Sequence, residues 1–466
     1  MNREKNQRRQ QLRIIISEAI MVVAVILTVI ILAFMVSGYW VNSDFEVERQ
    51  GMLQISSIPT GASLSIDGDS SWLQKTNTSK VLTSGEHTLS LTKDGYDSWS
   101  KTINISEGLL YKIHYPRLFL KERTREKVFN ANGTTLATVS PDRTTLLLVN
   151  ETTTWNILDL SEENLTPKKI NISKYFADPS LDDEEDASVF AGDILDVNWD
   201  KSGSHILFKV DIGDTIEWVL VDINDVKNSI NLNKEFGAEF EDIKILDNSS
   251  NNLLAVQKGN LHKIDTSGKV VSMVLVENVI NFDHFENEVV FSASDESKDY
   301  YVGLLKLGDN EVTKLDTTEE PAKVVISKFY ENKYITTLEK DLLTLYNKDD
   351  FEKVSEFKLN FDPERIKVGH NGEFIIANLG IEIASLDMEA NSVREWEVEG
   401  ESFGWIDNDM VYSVMDGELS VYDFDGLNHR IIGKNVSSRF PVMITDDKWL
   451  YYFSDNMIIR EWLIKH

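Results

Sequence analysis

Cysteine is absent from this 466-residue chain, and that absence excludes disulfides, thiolate metal ligands and cysteine nucleophiles. Packing alone must therefore stabilise the fold. The Gly-x-Ser-x-Gly, Walker A and dinucleotide-binding glycine patterns are missing as well. The sequence thus predicts no catalytic residue, no metal ligand and no cofactor.

Positive charge is in short supply, with 47 lysines and arginines against 77 aspartates and glutamates and a formal net charge of −30. Such a field repels nucleic acid and favours cationic partners or ions. Nucleic-acid binding is excluded on this ground. The simplest role of a dense acidic surface is to keep an exposed protein soluble.

Histidine is sparse too, and no two of the eight histidines are close enough in sequence to form a metal motif. They occupy positions 87, 114, 205, 262, 284, 370, 429 and 466. His262 and His284 could approach each other only across neighbouring structural repeats. Isolated histidines in strands or solvated turns are the more favoured interpretation.

One long apolar run is present, over Ala19–Val36, and it is free of charged residues. A helix of roughly 20 such residues crosses a bilayer, so the run predicts a transmembrane helix over residues 14–40 after a short tail, 1–13. The tail holds five basic residues and one acid. This asymmetry predicts a cytoplasmic N-terminus and external C-terminal domains. The length argues against a cleaved signal peptide, and Glu18 is expected to reach the headgroups.

After a polar linker, residues 41–51, short alternating apolar runs separated by Gly, Pro, Asn and Asp predict a small β-sandwich over residues 52–120. Gly61 and Gly68 suit turns with positive φ, and Tyr96 and Trp99 suit the core. The same stretch contains a series of short motifs in a fixed order. They are Ile58-Pro59-Thr60-Gly61-Ala62, Leu64, Ile66-Asp67-Gly68, Lys75-Thr76, Leu82, Gly85-Glu86-His87, Lys93-Asp94-Gly95-Tyr96 and Trp99.

In these motifs the segment resembles the PEGA domain family, named for a Pro-Glu-Gly-Ala turn that reads Pro59-Thr60-Gly61-Ala62 in this chain. Thr60 replaces the usual Glu, and Asn77 stands where the family commonly has Pro. Neither departure should disturb the fold. The resemblance implies a bacterial surface protein and a spacer or adhesion module without a catalytic role.

Residues 121–466 show no long helical period and are expected to form strands. A unit of apolar strand, polar turn and second apolar strand recurs eight times, mostly about 40 residues apart, which is typical of β-propeller blades. Eight blades are favoured, and seven remain the alternative. The last unit lacks an outer strand, so residues 125–130 are expected to supply it and close the ring.

Two turns, Ser140-Pro141-Asp142 and Trp199-Asp200-Lys201-Ser202-Gly203, are similar to those of TolB-type or quinoprotein-type propellers, a resemblance from which no function follows. Seven tryptophans fall in or beside predicted strands, where packing between blades favours a core position over sugar stacking. They are Trp155, Trp199, Trp218, Trp396, Trp405, Trp449 and Trp462.

Residues 175–193 interrupt the repeat with an acidic insertion. Insertions between blades lie on a propeller face, where partners usually bind. The candidate binding residues are the consecutive acids Asp182, Asp183, Glu184, Glu185 and Asp186. Their spacing lacks the alternation and turn glycine of an EF-hand-like calcium loop, and a solvated acidic loop is the simpler alternative.

Together these features predict a chain that is all-β outside one N-terminal helix: a membrane-anchored binding or scaffolding protein of the cell envelope. The propeller face would present to an envelope protein or a cell-wall glycan. The alternative is an extracytoplasmic propeller enzyme acting on envelope carbohydrate. Converging carboxylates at the channel mouth would favour that alternative.

Overall fold

The computed structural model describes residues 16–464 except 17, 19, 31, 34–38, 42–46, 177–191, 214, 247–249, 310, 370 and 401. Side chains are described throughout that part of the chain except at 39–41, 47–48, 70–73, 173 and 176. The chain divides into two compact units, Met1–Lys121 and Glu122–His466.

No helix in the described part of the chain is long and apolar enough to cross a membrane. Tyr39 and Trp40, which the prediction placed in the helix, lie in a strand paired with Arg49 and Glu48. The predicted transmembrane helix over residues 14–40 and the single-pass localisation are therefore wrong.

The first unit contains two four-stranded sheets. The strands of one are Tyr39–Val41, Val47–Ile55, Thr78–Thr83 and Leu110–Ile113; those of the other are Ser63–Ile66, Asp69–Lys75, Gly85–Thr92 and Trp99–Ile105. Alternation of buried and exposed residues along the strands buries one face of each sheet. Trp99 is fully buried and Tyr96 nearly so, as the sequence predicted. Gly61 and Gly68 have φ of 74° and 84°, also as predicted.

His87 links two turns of this unit. Its Nδ1 lies 2.6 Å from the Asp67 carboxylate and its Nε2 lies 2.8 Å from the Thr83 carbonyl oxygen. Both ring nitrogens therefore face acceptors, an arrangement that only the imidazolium satisfies fully. Burial disfavours the charged ring, but the hydrogen bonds to Asp67 and Thr83 outweigh burial and raise the pKa of His87 above 6.5.

The stabilisation from His87 is expected to be fully present below about pH 6.5, the unfolded value, and to be lost as pH rises through the higher folded pKa. NMR titration of the His87 ring in the full chain should give a pKa above 6.5. The stability difference between the wild type and His87→Gln should shrink as pH increases. A difference that grows with pH would contradict this assignment.

The second unit contains eight sheets of four antiparallel strands. Blade 1 consists of Thr134–Val139, Thr145–Asn150, Thr154–Asp159 and Lys168–Asn171, and blade 2 of Asp193–Trp199, His205–Asp211, Ile216–Asp222 and Ile230–Asn231. Blade 3 consists of Asp242–Ile245, Asn252–Gln257, Asn260–Asp265 and Val270–Val271, and blade 4 of Val279–Phe285, Glu288–Ser294, Tyr300–Lys306 and Glu311–Thr318. Short helices occur at Ser173–Phe176 and Leu232–Phe236, with a single 3₁₀ turn at Val226–Asn228. Each sheet is a meander in which consecutive strands pair.

Blades 5 to 8 follow the same order. Blade 5 consists of Lys323–Phe329, Asn332–Glu339, Leu342–Asn347 and Lys353–Lys358, and blade 6 of Arg365–Val368, Phe374–Leu379, Glu382–Asp387 and Ser392–Glu397. Blade 7 consists of Ser402–Trp405, Met410–Met415, Glu418–Asp423 and Arg430–Lys434, and blade 8 of Met443–Thr445, Trp449–Ser454, Met457–Trp462 and Arg125–Asn130. The last of these strands comes from the beginning of the unit and pairs antiparallel with Met457–Trp462. Both the predicted eight blades and the predicted closing strand are confirmed.

Apolar clusters join each blade to the next around the ring. Seven such clusters connect blades 1 to 7 in sequence and blade 8 to blade 1. A hydrogen bond of 3.1 Å from the Ile444 amide to the Ile406 carbonyl links blade 7 to blade 8. The eight sheets thus form a closed β-propeller.

Candidate binding groove between blades 2 and 3

Blades 2 and 3 depart from the repeat at their outer strands. Ile230–Asn231 and Val270–Val271 contain two residues each, whereas the fourth strands of the other blades have four to eight. In blade 2, the third strand Ile216–Asp222 pairs with the outer strand only at Val219 and Leu220. The first part of that third strand is left without a strand neighbour on its outer side.

The side-chain amide of Asn233 takes the place of the missing outer strand. Its Oδ1 accepts a hydrogen bond from the Trp218 amide at 2.7 Å, and its Nδ2 donates to the Ile216 carbonyl at 3.2 Å. The short helix Leu232–Phe236 holds Asn233 there, because Leu232 is fully buried. The helix begins with the Asn231 side chain capping the Lys234 amide and ends at Gly237 in the left-handed conformation.

A groove of about 1000 Å³ opens between the blades at this point. Its walls are the start of the third strand of blade 2, the helix, the connection 237–241 and the hairpin at Gln257 and Lys258 of blade 3. Phe240, nearly fully buried, and half-buried Ile216 and Ala238 supply its apolar surface. The volume is at the upper end of the range for pockets that bind a drug-sized ligand, which also suits a short peptide segment.

Most charges in the groove already have partners. Lys209 donates to the Glu241 carbonyl oxygen at 3.0 Å and lies 5.0 Å from the centre of the Trp218 ring. Lys234 is 3.6 Å from the Glu217 carboxylate. The Glu241 carboxylate accepts a hydrogen bond of 3.2 Å from the Gly259 amide and remains exposed. Exposed Glu239 forms no ion pair within the described part of the chain.

Asn233→Ala is expected to destabilise the chain by about 1–3 kcal/mol, because it leaves the Trp218 amide and the Ile216 carbonyl without their partner. Urea denaturation of the full chain would measure the change. Asn164→Ala, at an exposed position without a positive φ, is the control. Equal losses in the two variants would contradict the proposed role of Asn233.

The insertion residues proposed from sequence, Asp182, Asp183, Glu184, Glu185 and Asp186, lie outside the described residues. The repeat departs from its usual form nearby, since the insertion joins blade 1 to blade 2. Its beginning is described: Tyr175 is buried, and its hydroxyl donates to the Val226 carbonyl at 2.8 Å. Whether the acids bind anything stays a prediction.

Two of the seven tryptophans predicted to pack between blades, Trp155 and Trp218, are buried. The other five are half-buried: Trp199, Trp396, Trp405, Trp449 and Trp462. Several have their indole nitrogens occupied, as in the 2.9 Å bond from Trp199 Nε1 to Thr138 Oγ1. His262 lies beside the Ser272 carbonyl oxygen at 3.0 Å.

Carboxylates in the turns of the propeller stabilise backbone structure. Asp200 accepts hydrogen bonds of 2.8 Å from the Ser204 and His205 amides and 2.6 Å from the Ser202 hydroxyl. Burial would raise the pKa of Asp200, but these bonds and His205 hold it far below the usual range. The pKa values of Asp142 and Glu288 are lowered for related reasons: hydroxyl and amide donors act on Asp142, and two lysines act on Glu288. Such groups are fixed acceptors rather than proton donors at neutral pH.

Residues 50–117 match the family model of the PEGA domain, so the resemblance suggested by the sequence motifs is confirmed. No curated protein matches the sequence of this chain. Bacterial origin stays a prediction.

Solved structures similar to this chain include several propellers. The C-terminal WD40 domain of Sif2 has a TM-score of 0.48 at 10% identity, covering 74% of this chain and 99% of that chain. Kluyveromyces lactis Hsv2 gives 0.44 at 10% identity, with coverages of 67% and 99%. The computationally designed Ika8 protein gives 0.42 at 11% identity, with coverages of 73% and 100%. At these scores, the propeller assignment rests on the strand topology and not on the neighbours.

Proposed function

We propose that this chain is a non-catalytic binding or scaffolding protein whose propeller presents the groove between blades 2 and 3 to a protein partner. The proposal rests on one observation: the outer strands of blades 2 and 3 are shortened to two residues each, and a groove opens beside them. In repeat proteins, local departures from the repeat lie on one face, which is often the binding face. The PEGA resemblance favours a partner of the cell envelope.

A protein partner is favoured over a glycan by the aromatic side chains. Sugar stacking needs an exposed aromatic face, yet Trp218 beside the groove is buried and lies under the Lys209 ammonium. Phe240 is also nearly fully buried. The groove offers aliphatic and charged contacts instead, which suit a peptide chain.

A non-catalytic role is favoured by the carboxylates. Six carboxyl groups of the propeller have a pKa below the ordinary range, namely Asp142, Asp200, Asp222, Glu286, Glu288 and Asp349. A general acid for glycoside hydrolysis needs a raised pKa. The lowered values have structural causes, namely hydrogen bonds from turn amides and hydroxyls or ion pairs with lysine.

Site-specific photo-crosslinking tests the proposal. A benzoylphenylalanine would replace Lys258 in the hairpin on the groove rim or, as the control at a distant exposed site, Glu364 in the connection between blades 5 and 6. We expect a discrete adduct at position 258 alone. The purified captured partner should then bind the wild-type chain and lose at least tenfold in affinity for Ile216→Asp. Identical adducts at both positions would contradict the groove, and chemical conversion of the partner would contradict a non-catalytic role.

A further inference from the structure

We propose that the groove between blades 2 and 3 recognises a segment in which a lysine or arginine stands beside an aliphatic residue. This inference rests on the proposed function and specifies the partner's chemistry. Its first support is the distribution of charge along the chain. Residues 1–121 hold 13 basic and 11 acidic residues, whereas residues 122–466 hold 34 basic against 66 acidic. The propeller therefore carries nearly the whole negative charge and attracts cationic partners.

The groove is lined by three lysines and three glutamates, so its local charges are balanced in number and differ in exposure. Lys234 is paired with the Glu217 carboxylate, and the half-buried Lys209 ammonium lies against the Glu241 carbonyl oxygen and the Trp218 ring. The exposed carboxylates of Glu239 and Glu241 lie two residues apart on the connection between the blades. They stand beside one rim lysine, Lys258. A cationic side chain entering the groove would therefore meet carboxylates that retain solvent access.

The apolar part of the groove supplies the second element of recognition. Ile216 and Ala238 are half-buried and line the same cavity as Glu239. Burying an aliphatic side chain against such a surface stabilises the complex by removing apolar area from water. A segment with an aliphatic residue next to its cation could use both surfaces at once, whereas a uniformly basic segment would use only the carboxylates.

The mode of binding follows from Asn233. Its amide already satisfies the Trp218 N–H and the Ile216 carbonyl, which form the outer edge of the third strand of blade 2. A ligand therefore finds this part of the edge occupied and cannot add to it as another strand there. Recognition depends on side chains, so the sequence of the ligand should matter more than its ability to form a strand.

Fluorescence anisotropy with the full chain tests this inference. The probes are three fluorescein-labelled nine-residue peptides with Gly-Ser flanks around a Lys-Leu-Lys, Glu-Leu-Glu or Lys-Ser-Lys centre. Lys-Leu-Lys should bind at least tenfold tighter than either of the others. Equal binding of Lys-Leu-Lys and Lys-Ser-Lys would overturn the aliphatic requirement, and equal or tighter binding of Glu-Leu-Glu would overturn the cationic one.

Two matched charge reversals locate the site. Glu239→Lys should weaken Lys-Leu-Lys binding at least tenfold, whereas Glu364→Lys, in the equivalent connection between blades 5 and 6, should change it less than twofold. Equal weakening in both variants would show that only the overall field of the propeller attracts the peptide, and this would overturn the inference. Absence of any peptide binding, together with a groove-specific adduct at position 258, would overturn the inference and leave the proposed function standing.

Discussion

Glu461→Ala is expected to lower the free energy of unfolding by about 3–5 kcal/mol, the range observed when one partner of a buried ion pair is removed. Glu461 lies in the third strand of blade 8, with 8% of its side chain exposed, and its Oε2 is 2.9 Å from Arg123 Nε. Tyr452 donates its hydroxyl hydrogen to Oε1 at 2.5 Å. Alanine would leave the Arg123 guanidinium, 14% exposed, without its carboxylate.

The loss would fall at the closure of the ring. Arg123 also donates to the Ile432 carbonyl of blade 7, and Arg125 donates to the Lys434 carbonyl at 2.8 Å. Glu461 therefore fixes the two arginines that connect the closing segment to the neighbouring blade. Burial raises the pKa of Tyr452, and the Glu461 carboxylate raises it further. Removal of this carboxylate should therefore let the Tyr452 phenol ionise at lower pH.

Urea denaturation monitored by tryptophan fluorescence would measure the effect of Glu461→Ala. Glu418→Ala is the matched control, since Glu418 forms a strand ion pair with Lys434 at 3.4 Å, but the side chains are 45% and 74% exposed. An exposed pair contributes about 0–1 kcal/mol. Similar losses in the two variants would contradict a special role for Glu461 in ring closure.

Gly372→Ala is expected to destabilise the chain by about 2–5 kcal/mol, because two penalties add at this position. Gly372 has a φ of 74°, where a Cβ costs roughly 1–2 kcal/mol. That Cβ would also collide with the backbone carbonyl oxygen of Lys328 in blade 5. A backbone atom in a sheet cannot rotate away as a flexible side chain can, so blades 5 and 6 would have to separate locally.

Gly380→Ala separates the two penalties. Gly380 lies in the same blade with a φ of 54°, and a Cβ added there meets nothing within 4 Å. Its replacement should therefore cost only the conformational part, about 1–2 kcal/mol. Thermal and urea unfolding of both variants would give the comparison, and a Gly380→Ala loss as large as that of Gly372→Ala would show that the contact with Lys328 is unimportant.

Much of the propeller could be predicted from the sequence because each blade repeats a local pattern. Turns such as Ser140-Pro141-Asp142 recur with an apolar strand on either side, and local signals of this kind survive in a single sequence. The closing strand Arg125–Asn130 was predictable because the eighth unit lacked a fourth strand. In the first unit, short motifs such as Ile58–Ala62 were specific enough to indicate the PEGA domain.

The groove could not be predicted, because it depends on contacts between separate segments of the chain. Its strand edge pairs Ile216 with Asn233, and one wall holds Lys209 against Glu241. In the sequence, the shortened outer strand of blade 2 is marked only by the short polar stretch near Asn231. Hydropathy located the apolar run Ala19–Val36 but gave no indication that Tyr39 and Trp40, which the prediction placed at the end of the helix, pair in a strand.

The pairing of Arg125–Asn130 with Met457–Trp462 determines when the ring can be completed during synthesis. More than 300 residues separate the two strands. At 5–20 residues per second, the ribosome needs on the order of 15–65 s to make that interval. Throughout this time the early strand waits for its partner, while blade 1 lacks the apolar surface of blade 8. The nascent chain therefore passes through a long stage with open sheet edges, in which a stalled or shortened product would be exposed to aggregation and proteolysis.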